Sequence, residues 1–440
     1  MTTNLAEVRL WGELVGALAY DPESGYGTFE YAPGWREQGV EIAPLHMALA
    51  ATKYQFPGLN PETYRGLPAV FADVLPDDFG NAVINAWLAR QGRDPRSFSP
   101  VERLLYIGRR GMGALEFLPS MERGVDEQGN LQLASLVAMA QRVLDERAHL
   151  QQAVAAPVAN KNNGEAMQAI LQVGTSAGGA RAKAVIAINA DRSQIRSGQV
   201  DAPEGFEHYL LKFDGVEEHK TDSETFGDPQ GFGRMEYAYY LMAKDAGIDM
   251  TASELLIEGE RAHFMTRRFE RDGNRKLHYV SLCAMDHADY KRPGAYSYEQ
   301  LLAVARQLRL PRVDAIEIFR RLVFNVIARN HDDHSKNFGF LLADKQAGWR
   351  LSPAFDVAYS YKPGSPWVNS HQLTINGKRE DFSLDDLMAV ANLIGNFREA
   401  PKIIQQVREV VTEWVHYAAR AGVFPALQKE VQKNLRLDIV

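Results

Sequence analysis

The sequence predicts an α+β fold with segregated lobes: a small β-rich N-terminal domain, then a core that ends in a mainly helical C-terminal lobe. Three observations carry this. Apolar and polar residues alternate over residues 8–30, with glycines where the chain must turn. Strand-like runs recur at 183–189, 208–213, 255–258 and 262–269. Beyond residue 297 the apolar positions repeat at helical spacing. Strands first and helices later is the pattern of an α+β chain.

Taken in order, residues 8–30 read as a small antiparallel sheet. The turn Leu75-Pro76-Asp77-Asp78 opens a helix over roughly 80–91, with Asp77 and Asp78 suited to its positive N-terminal end. The segment 104–119 holds three glycines between apolar runs and predicts a strand–loop–strand element. An Ala-rich helix covers 134–155, and the polar stretch 157–166 is the best linker. That linker sets the predicted domains at 1–156 and 157–440. In the second domain a helix at 233–246 stops at Gly247 as C-cap. Further helices are expected at 297–308, 312–329, 384–395, 400–420 and 425–434.

Composition excludes several classes. With 440 residues, 45% hydrophobic and 24% charged, the chain can bury a large core in two to three domains. A formal charge of −7 argues against autonomous nucleic-acid binding, which calls for a basic domain. The single cysteine, Cys283, cannot form an internal disulfide; it sits in an apolar stretch and reads as a small buried residue. The first residues carry acidic side chains and no long apolar core, so no signal peptide is expected, and no apolar run approaches a membrane span. The expectation is a soluble, cytoplasmic protein without a membrane partner.

The chemistry concentrates in residues 330–360, NHDDHSKNFGFLLADKQAGWRLSPAFDVAYS. Asp332 and Asn337 are five apart, the spacing of a protein-kinase catalytic loop, in which the Asp receives the substrate hydroxyl proton and the Asn holds Mg²⁺. Two short strands around the turn 343–348 then deliver Asp356. Phosphoryl transfer requires a positioned nucleotide, neutralised phosphate charge and a carboxylate near the attacking hydroxyl. Mg²⁺ keeps several waters, so one amide and one carboxylate, Asn337 and Asp356, suffice as protein ligands. The bland alternative is a polar turn capping helix 312–329. A second alternative is a metal-dependent phosphohydrolase using His331, Asp332, Asp333 and His334, although adjacent residues point in different directions and such sites draw ligands from several segments.

Upstream, VGTSAGGARAKAVIAI (173–188) places Gly174, Gly178 and Gly179 before Lys183 and a strand; glycines let backbone N–H groups approach phosphate. It matches no standard phosphate loop, and a flexible turn is its plain alternative. Lys212 lies in the apolar strand HYLLKFD, where a lysine needs a partner. Glu236, within an otherwise apolar helix surface, is the candidate partner; a solvated helix face is the alternative. HFMTRRFER (263–271) stands where a hinge between lobes belongs. There backbone groups read adenine, and Phe269 is either a pocket wall or a core aromatic.

GTSAGGARAK, the lysine strand, RRFER, NHDDHSKNF and PAFDVA occur in an order that resembles the HipA family. LLPDDFGNAVINAWL and GRRGMGALEF resemble its N-terminal region, so the likeness spans most of the chain. The resemblance implies a protein-kinase-like two-lobed fold, with a hinge near 267–270 and a helical lobe at 271–440. It implies a serine/threonine kinase, using ATP and Mg²⁺, that serves as toxin of a type II toxin–antitoxin module. Asp332 would be the base and Asn337 and Asp356 the Mg²⁺ ligands. Gly178, Gly179, Ala180, Arg181, Ala182 and Lys183 would cover the nucleotide, Lys212 would bind its phosphates, and the backbone of Arg267, Arg268 and Phe269 would bind adenine. His334 would contact the nucleotide as well. Ser176 would be the autophosphorylated serine, whose added charge expels the loop from the phosphates. The implied partners are a HipB-type helix-turn-helix antitoxin and a substrate such as an aminoacyl-tRNA synthetase. Operator DNA would be met only through the antitoxin, with Lys378 and Arg379 as phosphate contacts; a corepressor without kinase activity is the corresponding alternative. Two departures stand out: Val-Ala, not Phe-Gly, follows Asp356, as in the family, and Arg181-Ala182 replaces a Gln-Glu found in some relatives.

Overall fold

In the computed structural model, residues 4–120, 131–150, 181–217, 227–228 and 230–439 are described. The expected linker at 157–166 and the boundary at 156 lie outside them. The chain divides into two compact units: residues 1–40, 49–233 and 254–278, and residues 41–48, 234–253 and 279–440.

The first unit holds two five-stranded sheets. One has the order β4-β3-β2-β1-β5, built from β1 (Leu5–Leu10), β2 (Glu13–Asp21), β3 (Tyr26–Tyr31), β4 (Lys53–Tyr54) and β5 (Leu115–Leu118). The expected antiparallel sheet is present, and burial alternates along it: Ala6, Val8 and Leu10 are buried while their neighbours face outward. Gly16 is required where β2 meets β3, because a Cβ there would lie 2.2 Å from the Glu30 carbonyl oxygen. Asp77 caps the helix Asp78–Arg90 by accepting from Gly80 N at 2.6 Å. The strand–loop–strand expectation for 104–119 holds only in its second half. Residues Pro100–Ile107 form a helix, because Ser99 and Glu102 make a reciprocal capping box with Pro100 at the first helical position. The apolar run 104–107 is therefore the buried end of a helix, and β5 alone supplies the strand.

The second sheet has the order β11-β12-β8-β6-β7: β6 (Lys183–Asn189), β7 (Ile195–Ser197), β8 (Phe206–Lys212), β11 (Ser253–Glu258) and β12 (Arg261–Arg267). Two-residue ribbons, β9 (Val216–Glu217) with β10 (Gly227–Asp228) and β13 (Arg271–Asp272) with β14 (Arg275–Lys276), accompany it. Helices Asp78–Arg90 and Leu133–Leu150 pack Val83, Leu136, Ala140 and Val143 into one core cluster with Ala184, Ile186 and Leu211 of the sheet. That explains why the first six residues of β6 are all buried.

The second unit is helical around a small sheet, β15-β16-β17, formed by β15 (His278–Ser281), β16 (Gly339–Leu342) and β17 (Arg350–Leu351). Its helices include Tyr298–Gln307, Arg312–Ile327, Leu384–Ala391 and Pro425–Asn434. The expected helix 400–420 is two, Ala400–Thr412 and Trp414–Ala421. The break at Glu413 turns Trp414 fully into the core, where its indole donates to the Gln428 carbonyl at 3.0 Å. Cys283 is buried, as expected. No described helix is long and apolar enough to cross a membrane.

Candidate active site

Helix Arg312–Ile327 ends at Ala328, and Arg329 takes the left-handed conformation (φ 57°) to turn the chain into the loop 330–338. Side-chain direction then alternates. His331, Asp333 and Ser335 are at most 2% exposed, whereas Asp332, His334 and Asn337 are half-buried and border solvent. Asp333 is the buried anchor: its carboxylate accepts from Tyr298 Oη at 2.9 Å, His371 Nδ1 at 2.8 Å and Gln372 N at 2.8 Å. Asn325 Nδ2 donates to Tyr298 Oη, and Asn330 Nδ2 donates to Asn325 Oδ1. The loop is thus hydrogen-bonded to helices on both sides. His331 is pushed down to about 2 by burial, with the His371 ring and the Arg329 charge adding to it, so it is a neutral core group.

The opposite face carries the groups with unspent capacity. Asp332 Oδ1 is buried and accepts no hydrogen bond; the nearest cationic candidate, His334 Nε2, is 3.6 Å away, beyond hydrogen-bond range. Asn337 Nδ2 donates to the Asp332 carbonyl at 2.7 Å, which commits the nitrogen end and leaves the amide oxygen as the end for a hard cation.

The hairpin that follows is clamped from helix 312–327. Asp314 accepts from Arg350 Nε and Nη2, at 2.9 and 2.8 Å, and from Leu351 N at 3.0 Å. Arg321 donates to the Ser352 carbonyl at 2.8 Å. This brings Asp356 to the end of the hairpin in the left-handed region, φ 53°. Strain of that kind collects where a side chain must be aimed. Asn337 and Asp356 line one small cleft together with Arg321, Asn325, Asn330 and Asp333.

In the first unit, Lys183 and Lys212 face each other across β6 and β8 as registered partners, both buried. Lys183 Nζ lies 2.8 Å from Asp77 Oδ2. Burial raises the Asp77 carboxyl to about 6 in spite of the Lys183 ammonium beside it. Reading Asp77 only as a helix cap missed this pair; a second carboxylate next to the cap, Asp78, was the available hint that the turn handles charge. Lys212 Nζ sits 5.9 Å from the Phe264 ring centre. Ala182 is buried, and its carbonyl accepts from Phe213 N; Arg181 is half-buried. Arg267 is exposed and pairs with Glu207 at 3.2 Å. Arg268 extends the sheet through its N–H to the His208 carbonyl, and its Nε donates to Glu270 at 2.6 Å. Phe269 is half-buried. Ser176, Gly178, Gly179 and Ala180 lie outside the described residues. Asp214, which sequence reasoning passed over, ties the end of β8 by accepting from Gly231 N at 2.8 Å and Ala262 N at 3.1 Å.

In the second unit, Glu236 is 3% exposed, which removes the solvated-face alternative. Lys378 pairs with Asp386 at 2.8 Å, and Arg379 Nε donates to the His371 carbonyl, so both side chains have contacts within the fold. Among the described residues, no group of three or more His, Cys, Asp or Glu is placed to hold a metal ion. His331 and Asp333 are turned away from Asp332 and His334, so the four adjacent residues do not form a ligand set.

Two family models match this chain: the HipA N-terminal domain over residues 6–118 and the HipA-like C-terminal domain over residues 175–414. A curated Haemophilus influenzae protein, named as a candidate kinase, is 31% identical over 154 residues, covering 32% of this chain and 44% of that protein. The match therefore spans less than half of that relative's length. A solved structure of the Shewanella oneidensis HipA, in complex with HipB and operator DNA, superposes with a TM-score of 0.60 at 16% identity over 97% of this chain and 99% of that chain. That likeness establishes the fold.

Proposed function

This chain belongs to the HipA family, and from that premise we propose that it is an ATP- and Mg²⁺-dependent serine/threonine protein kinase, the toxin of a toxin–antitoxin module. One observation carries the reading: Asn337 and Asp356, from either end of a clamped hairpin, line one cleft, while Asp332 on the same loop holds an unpartnered carboxylate oxygen.

In this reading Asp332 Oδ1 accepts the proton of the attacking serine or threonine hydroxyl. The new bond joins that oxygen to the γ-phosphorus, the bond to the β-phosphate bridging oxygen breaks, and ADP leaves. Asn337 Oδ1 and the Asp356 carboxylate would hold Mg²⁺, a donor set of oxygens that suits a hard cation and not a transition metal, and the ion would neutralise phosphate charge. Lys212, and Lys183 through the strand it begins, supply positive charge toward the phosphates; Arg267, Arg268, Phe269 and His334 belong to the nucleotide contacts, with Glu236 as buried partner for a lysine. Ser176 is the proposed autophosphorylation site, a HipB-type antitoxin the proposed partner, and an aminoacyl-tRNA synthetase the proposed substrate. The phosphohydrolase alternative loses support from the outward–inward alternation of residues 331–334.

The test is transfer of label from γ-labelled ATP with Mg²⁺ to the chain itself and to added protein. Wild type transfers and Asp332→Ala does not; equal transfer by the two would remove Asp332 from its role. Mass spectrometry of ATP-treated protein locates the phosphate, and its absence from Ser176 would remove that site.

A further inference from the structure

Lys212 ends β8, and the chain beyond it departs from an ordinary strand end. The register pairs Lys212 with Phe264 of β12, so two residues on Asp214 falls opposite Ala262. There side chains take over from the backbone ladder. Asp214 N donates to His263 Nδ1 at 2.9 Å, and Asp214 Oδ2 accepts from Ala262 N at 3.1 Å. The same carboxylate reaches a third segment. Its Oδ1 accepts from Gly231 N at 2.8 Å and from Gly233 N at 3.4 Å, at the start of helix Phe232–Asp245.

Asp214 is 1% exposed. A buried carboxylate is costly unless its oxygens are satisfied; here backbone N–H groups satisfy both, and the positive end of the helix adds to them. His263 is fully buried, and because its Nδ1 accepts, its proton sits on Nε2, 3.2 Å from Glu258 Oε2. Gly233 shows how closely the helix approaches the sheet, since a Cβ there would overlap the Ala262 carbonyl oxygen. A helix cap by itself needs one acceptor oxygen. The second oxygen, committed to β12, ties the helix start to the sheet. The lysine and the glutamate of the proposed site both lie close along the chain to this junction: Lys212 two residues before Asp214, and Glu236 three after Gly233.

We infer that Asp214 is a positioning residue for nucleotide binding: by joining the end of β8 to β12 and to the first turn of helix Phe232–Asp245, it fixes where Lys212 presents its ammonium to the ATP phosphates. The inference rests on the kinase reading above and adds to that same site a residue that acts through Lys212.

Self-labelling of the intact chain, followed against the concentration of γ-labelled ATP with Mg²⁺, tests it. Asp214→Asn keeps the side-chain volume and one acceptor oxygen for the helix start, but turns an N–H donor toward Ala262 N. This variant should need about tenfold more ATP for its half-maximal rate. A loss of folded protein would lower only the amount of label and leave that concentration where it was. Gly233→Ala, which presses the helix away from Ala262, should raise it as well. Lys212→Met should also raise it, and Asp214→Asn added to Lys212→Met should raise it no further. An unchanged half-saturating concentration in Asp214→Asn or Gly233→Ala, or an additive rise in the double variant, would overturn the inference and leave the kinase reading standing. No label on wild type would overturn the kinase reading, and the inference with it.

Discussion

Asp332 and Asp333 are adjacent carboxylates in opposite environments, and the contrast yields separate predictions for stability and activity. Asp332 makes no side-chain hydrogen bond through Oδ1, so Asp332→Ala should leave the thermal midpoint nearly unchanged while lowering phosphate transfer by about 10²–10⁴-fold, the usual worth of a general base. Asp333 is buried and accepts from Tyr298, His371 and Gln372. Asp333→Ala should cost about 3 kcal/mol or more in a denaturant titration, because three donors lose their acceptor at once. His331 adds a pH dependence. Its folded-state value of about 2 lies below the ordinary value of 6.5, so the unfolded chain binds the extra proton in that window. The stabilisation is complete above pH 6.5 and falls as the pH drops, by about 2 kcal/mol at pH 5. His331→Gln should flatten that slope in stability measured between pH 7 and 5. The sequence singled out Asp332 and Asn337 by their spacing and Asp356 by the hairpin that leads to it. It did not separate the roles of His331 and Asp333, because which side of a loop is buried depends on partners such as Tyr298 and His371, which are distant in sequence.

At the scale of elements, the hairpin β16–β17 aims Asp356, and helix 312–327 holds the hairpin through Asp314 and Arg321. Gly339, at the start of β16, is packed against Tyr279: a Cβ there would lie 2.2 Å from Tyr279 Cε2. Gly339→Ala should therefore displace the strand, lower stability by about 1–3 kcal/mol as overpacking does, and impair phosphate transfer because Asn337 lies two residues away. Calorimetric unfolding together with label transfer checks both parts. Strands and helices were legible where their pattern was long and periodic: β6, β8, β12 and helices 298–307 and 425–434 fall within a few residues of their expected bounds. The errors have local causes. The capping box at Ser99 and Glu102 makes a helix of the run 104–107 that read as a strand, while the glycine loop after it is present, and the buried Trp414 split a helix whose amphipathic pattern runs on without interruption.

At the scale of the whole molecule, the two compact units divide the work of the proposed activity. The first buries two lysines on adjacent strands, one of them paired with Asp77, and the second carries Asp332, Asn337 and Asp356. The paired lysines were legible as residues in apolar strands, but the Asp77–Lys183 pair was not, since its members are more than a hundred residues apart. The order of motifs along the chain was enough to point to the family, because the family's domains run in the same order over residues 6–118 and 175–414. In the proposed activity Asp356 serves a nucleotide-bound cation and Asp332 serves the acceptor hydroxyl. Calorimetric titration of the intact chain with ATP, in Mg²⁺ and in EDTA, separates the two. Wild type and Asp332→Ala should both bind ATP more tightly with Mg²⁺, by about tenfold or more, and Asp356→Ala should lose that gain. An Asp356→Ala protein that keeps the full Mg²⁺ dependence would contradict the account.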